Sequence, residues 1–136
     1  MNNSTTLPRA LANELLRQAQ SGDDEEICGL IAARSGRASR CYPIPNIADK
    51  PQRRYIMDPA SQINALRDMR NNNEELFAIY HSHPSSPAEP SAIDLAEASY
   101  PEALYLIISL NTKGVLEIRG FRLQSGNYDE VTLLVE

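Results

Sequence analysis

The sequence is poor in cysteine, in positive charge, in long apolar runs and in histidine. Its two cysteines, Cys28 and Cys41, lie in different contexts without CxxC spacing. A disulfide framework is therefore excluded, and a reducing compartment is expected. Thirteen Lys and Arg stand against eighteen Asp and Glu, for a net charge of -5. Nucleic-acid binding draws its affinity mainly from cationic side chains on phosphates, so no nucleic-acid partner is expected. The longest apolar stretch, around Ala103 to Leu110, is interrupted by Tyr105 and Ser109 and is too short to span a membrane. The opening MNNSTTLPRALANELL has no basic stretch followed by an apolar block, so no secretory signal is expected. These absences together predict a cytoplasmic protein with no membrane partner.

What is present is ordinary globular material. Apolar residues make up 42% and charged residues 23% of 136 residues. That composition and length predict a single domain over residues 1–136. Thr5, Thr6 and Pro8 read as a helix start, and Leu7, Leu11, Leu15 and Leu16 recur at helical spacing, predicting a helix over 8–20. ICGLIAA (27–33) reads as a buried strand, SGR (35–37) as a hairpin turn, and ASRCYPI as the returning strand. A polar loop, PNIADKPQRR, leads to a short strand, RYIMD. Asp58-Pro59 then opens a second helix to about Asn71, with Ile63, Leu66 and Met69 on its apolar face. LFAIYHSH (76–83) is a strand, SHPSSPAEP a rigid proline-rich loop, and SAIDLAEAS a short helix. LYLIISL (104–110), a turn at 111–114 and a last hairpin complete the chain. The fold class is α/β, a single domain with a mixed β-sheet flanked by helices.

Both histidines of the chain fall in HSHPSSPAEPSAID, residues 81–94. Side chains at i and i+2 of a strand share a face, so His81 and His83 present two imidazoles together. Asp94, returning on the first turn of the next helix, adds a carboxylate. Two histidines, one carboxylate and one open position make a catalytic zinc arrangement, with water as the fourth ligand. A structural reading competes. Ser91 and Asp94 also form an S-x-x-D capping box, and one Asp94 oxygen is not expected both to cap and to ligate. The sequence has no H-E-x-x-H of helix-borne zincins and no H-x-E with P-C-x-x-C of zinc deaminases. Cys28 reads as a small buried residue rather than a nucleophile.

His81-Ser82-His83-Pro84, six residues, Ser91, two residues and Asp94 resembles the signature of the JAMM (MPN+) zinc metalloproteases, the Mov34/MPN/PAD-1 family. Glu26-Ile27-Cys28-Gly29-Leu30 is similar to that family's upstream E-x-C-G-L segment. The resemblance implies an MPN, cytidine-deaminase-like fold and one Zn2+ per chain held by His81, His83 and Asp94. It implies that Glu26 serves the zinc-bound water as base and that Ser91 donates to the oxyanion. Glu25 is the alternative to Glu26. Neighbouring strand residues point to opposite faces, and only the spacing to Cys-Gly-Leu, taken from the resemblance, favours Glu26.

The chain resembles the small, stand-alone prokaryotic members of that family. The resemblance implies a peptide or isopeptide hydrolase acting at the C-terminal Gly-Gly region of a ubiquitin-like, β-grasp sulfur-carrier protein. The alternatives are an isopeptidase for another ubiquitin-like substrate and a non-catalytic interaction scaffold of the same fold. The arginines at 34, 37, 40, 53 and 54 offer a basic cluster for an acidic partner. Oligomeric state is not encoded legibly.

Overall fold

The computed structural model describes residues 3–98, 100, 102–112, 115–124 and 126–136. Its centre is one seven-stranded mixed sheet in the order β1-β7-β6-β5-β4-β2-β3. The strands are β1 (Ser4–Leu7), β2 (Cys28–Arg34), β3 (Arg37–Ile44), β4 (Glu75–His83), β5 (Leu104–Thr112), β6 (Val115–Gln124) and β7 (Asn127–Val135). The helices are α1 (Arg9–Ser21), α2 (Pro59–Asn71) and α3 (Ala92–Glu97). The α/β class with a mixed sheet is borne out. The expected turn at 111–114 includes Lys113 and Gly114, which lie outside the described residues.

Period-2 alternation divides the core between two faces. On β4, Ala78 and Tyr80 pack with Leu104, Leu106 and Ile108 of β5 against Leu11, Ala12, Leu15 and Ala19 of α1. Ile79 of β4 joins Tyr105 and Ile107 of β5 and Ala65 and Met69 of α2 on the other face. β4 and β5 run parallel, so a crossover must join them, and the proline-rich loop with α3 supplies it. The C-terminal end of β4 therefore opens beneath α3. In such sheets, ligands bind at strand C-terminal ends.

Three expectations need correction. Residues 4–7 are not a helix start but β1, paired parallel with β7. Leu7 is buried as a strand residue, and Pro8, with no N–H to contribute to a ladder, separates strand from helix. RYIMD is not a strand. Among the described residues its Met57 makes one isolated bridge, with Asn46, just past the end of the edge strand β3 at Ile44, and one bridge is too short a pairing to make a ladder. In α2, Ile63 is 57% exposed, and the buried residues are Ala65 and Met69. Within the basic cluster, Arg34 donates to the Asn72 carbonyl, Arg40 bonds Tyr42 and pairs with Glu74, and Arg54 pairs with Glu97. The Ser35-Gly36 turn does form, with both residues at positive φ (53° and 78°), as a tight hairpin requires. Among the described residues, no helix is long and apolar enough to cross a membrane.

Candidate metal centre

β4 brings His81 and His83 to the same face, and both are buried. Their Nε2 atoms lie 3.2 Å apart. Asp94 Oδ2, from the first turn of α3, lies 3.1 Å from each. Four tetrahedral ligands at zinc's usual distances are about 3.3 Å apart, so this triangle already has the dimensions of one face of such a shell.

The chemistry of the donors agrees with the geometry. His83 Nδ1 lies 2.8 Å from the Pro87 carbonyl, which can only accept. The proton therefore sits on Nδ1, and Nε2 turns its lone pair inward. Burial opposes a charged His83, but Asp94 and the Pro87 carbonyl outweigh it and raise its pKa above the ordinary value. Burial also works against the Asp94 carboxylate. The His81 imidazole, the close contacts with both histidine rings and the hydrogen bond from the Ser91 N–H prevail, and hold it well below the usual carboxylate range. Nitrogen lone pairs and an anionic oxygen converging at 3.1–3.2 Å repel unless a proton or a cation lies between them. The residues fit a divalent metal.

Glu26 is the fourth member. It is 5% exposed, whereas Glu25 is exposed to solvent. One carboxylate oxygen of Glu26 and one ring nitrogen from each histidine all lie within 4.8 Å of one another. The β2–β4 register explains this. Cys28 pairs with His81, so continuing the antiparallel ladder sets Ile27 against Ser82 and Glu26 against His83. Ser82 completes the ladder with its own hydroxyl: Oγ accepts the Ile27 N–H at 2.9 Å, while the Ser82 N–H donates to the Ile27 carbonyl at 3.0 Å. Burial pushes the Glu26 carboxyl up to about 8, with His83 opposing and Asp94 adding to the rise. Glu26 Oε1 is buried without a hydrogen-bond partner among the described residues, which suits a group awaiting water or substrate.

Ser91 caps α3. Its Oγ accepts the Asp94 N–H at 3.0 Å, and its N–H donates to Asp94 Oδ2 at 2.9 Å. The oxygen that caps the helix is thus the oxygen that faces the histidines, contrary to the expectation that one atom would not do both. A carboxylate oxygen has two lone-pair directions, and the capping N–H uses one. Accepting a bond leaves the Ser91 hydroxyl proton available to donate.

Three contributors were not legible in the sequence. Tyr55 stacks on the His81 ring at 4.5 Å between centroids. Ser82 staples β4 to the segment bearing Glu26. Asn46 donates to the Glu26 carbonyl. Gly29 has a clear reason: a Cβ there would collide with the Tyr80 hydroxyl and lie 2.6 Å from the Tyr42 carbonyl. Cys28 donates weakly to the Ile44 carbonyl, and burial pushes its thiol up to about 12, which leaves no thiolate for nucleophilic attack.

The family described as prokaryotic homologs of the JAB domain matches residues 8–123, and the chain belongs to that family. A probable TtuB-protein conjugate cleaving protease of Thermus thermophilus is 38% identical over 133 residues, covering 95% of this chain and 81% of that protein. A CysO-cysteine peptidase of Mycobacterium tuberculosis is 31% identical over 122 residues, covering 88% and 83%. A JAB1/MPN domain protein of Archaeoglobus fulgidus superposes with a TM-score of 0.62 at 16% identity, covering 96% of this chain and 98% of that one, and shows the shared fold. By these relationships the chain is a hydrolase.

Proposed function

We propose that residues 1–136 form one JAMM-type zinc peptidase domain, which cuts a peptide or isopeptide bond at the C-terminal Gly-Gly region of a ubiquitin-like sulfur-carrier protein. The observation that carries this reading is the triangle of His81 Nε2, His83 Nε2 and Asp94 Oδ2, with the buried Glu26 beside it. The names of the two relatives, acting on TtuB conjugates and on CysO-cysteine, support the substrate class. The free thiols of Cys28 and Cys41 fit a reducing cytoplasm.

His81, His83 and Asp94 would hold the zinc ion. When bound, the ion lowers the pKa of a water towards neutrality and polarises the scissile carbonyl. Glu26 takes a proton from the attacking water and delivers it to the leaving nitrogen, so that water adds across the C–N bond as hydroxyl and hydrogen. A base near the metal but outside the ligand set is needed for both transfers, and we assign that role to Glu26, buried within 4.8 Å of both histidines. Ser91 donates its hydroxyl proton to the oxyanion that develops on the carbonyl oxygen.

The test is cleavage of a Gly-Gly-ended sulfur carrier bearing a short C-terminal peptide. Release of that peptide by the parent, and none by Glu26→Gln with its zinc retained, is the expected result. Equal cleavage by Glu26→Gln would contradict the assignment of the base, and no cleavage by a zinc-loaded parent would contradict the substrate.

A further inference from the structure

Asn46 sits in the loop between β3 and α2, and all of its amide hydrogen-bonding directions are directed at main chain. Nδ2 donates to the Glu26 carbonyl at 3.0 Å and to the Arg54 carbonyl at 3.1 Å. Oδ1 accepts the Ala48 and Ile56 N–H groups, each at 3.0 Å. A flipped amide would face donors with donors and acceptors with acceptors, so the orientation is fixed.

The positions gripped are informative. Residues 54 and 56 bracket Tyr55, the ring stacked on His81. The third main-chain partner is Glu26 itself, whose N–H is held by the Pro51 carbonyl of the same loop at 2.8 Å. Glu26 precedes β2, and its N–H and its carbonyl are both bonded to this loop, through Pro51 and Asn46. The loop is closed on itself by Ile47 N–H to the Ile56 carbonyl (2.8 Å) and Asp58 N–H to the Pro45 carbonyl (3.0 Å). Arg54 ties it to Glu97 of α3, the helix that bears Asp94.

We propose that Asn46 is a positioning residue, whose single carboxamide sets both Glu26 and the Tyr55 ring against the histidine pair. It touches neither substrate nor metal. It acts through the Glu26 main chain and through the two peptides flanking Tyr55. The proposal rests on the peptidase reading for its catalytic consequence, and on the hydrogen bonds alone for its structural one.

Asn46→Asp tests it, because the carboxylate keeps the acceptor for Ala48 and Ile56 but loses the donor to Glu26 and Arg54. Asn46→Ser, which is too short to span the loop, is the second variant should the first fail to fold. The full chain is assayed on the extended Gly-Gly carrier and normalised to bound zinc. Asn46→Asp should lower kcat about 10–100-fold, the range found when groups supporting an active site are removed, with KM and zinc content within about twofold of the parent. Separately, hydrogen exchange is read on metal-free protein. The Glu26 amide should exchange at least about tenfold faster, while amides of β5 keep their protection. A kcat per zinc-loaded chain equal to the parent's, or an unchanged Glu26 amide, would overturn the proposal. If the parent fails to cut the carrier, the peptidase reading fails, and the exchange measurement still decides the role of Asn46.

Discussion

The Ser91 N–H donates to Asp94 Oδ2 at 2.9 Å, and that same oxygen lies 3.1 Å from both histidine Nε2 atoms. Helix capping and the placement of the proposed ligand oxygen are therefore one interaction. The start of α3 fixes the carboxylate relative to Ser91, so the proposed oxyanion donor and the proposed third ligand cannot drift apart independently.

Ser91→Ala removes the hydroxyl but not the main-chain N–H. Losing the N-cap acceptor should lower stability by about 1 kcal/mol. Losing the oxyanion donor should lower kcat by about 10²–10³. Zinc content should be unchanged, because the bond to Oδ2 comes from the backbone. Denaturant unfolding, steady-state kinetics and elemental analysis on one preparation check all three, and loss of zinc would contradict the division of labour.

Glu26 makes the pH dependence of stability predictable. Its folded-state pKa, pushed up by burial to about 8, lies above the ordinary value of 4.5. Between those values the folded chain holds more protons than the unfolded chain, so metal-free protein loses stability as pH rises through that window. Glu26→Gln never ionises. Without metal it should melt above the parent at pH 8, with the gap narrowing towards pH 5. A gap that is constant or reversed in thermal scans would contradict the burial of a carboxyl at this position.

Tyr55→Ala uncovers the His81 ring, whose Nδ1 has no hydrogen-bond partner among the described residues. The stacked ring then restrains that imidazole alongside the Asp94 and His83 contacts at Nε2. Zinc affinity should fall about 10–100-fold, the range typical for groups that orient a ligand. Competition with a chelator of known affinity measures it, and an unchanged affinity would show that the backbone alone orients His81.

Gly29→Ala should destabilise the fold by about 1–3 kcal/mol, as overpacking does. The added methyl meets the rigid Tyr80 ring and a main-chain carbonyl rather than the end of a flexible side chain. Tyr80→Phe in the same chain should recover part of the loss, since it removes the atom nearest the new methyl. Unfolding of the single and double variants gives the coupling, and strict additivity would contradict the contact.

Much of this was legible in the chain because it depends on short-range periodicity. The i,i+2 spacing of His81 and His83 placed two imidazoles on one face before any strand partner was known. Asp58-Pro59 and S-x-x-D marked two helix starts that the structure contains. What escaped depends on contacts across the sequence. Tyr55 meets His81 only because the loop folds over the sheet's end, and nothing in RYIMD distinguishes a ring on a histidine from a strand residue. Asn46 sits in a stretch whose polarity reads as ordinary loop, and its partners, residues 26, 48, 54 and 56, are set by tertiary closure. β1 escaped because four residues before a proline carry too little pattern to outweigh a helix start. The choice between Glu25 and Glu26 needed the register of β2 on β4.

The most direct test of the metal centre is zinc per chain in protein purified without added metal or chelator, beside His83→Ala made the same way. The account predicts about one zinc in the parent and little in the variant, because removing one corner of the triangle leaves two ligands of three. Equal zinc in the two, or none in the parent even after zinc is added, would contradict it.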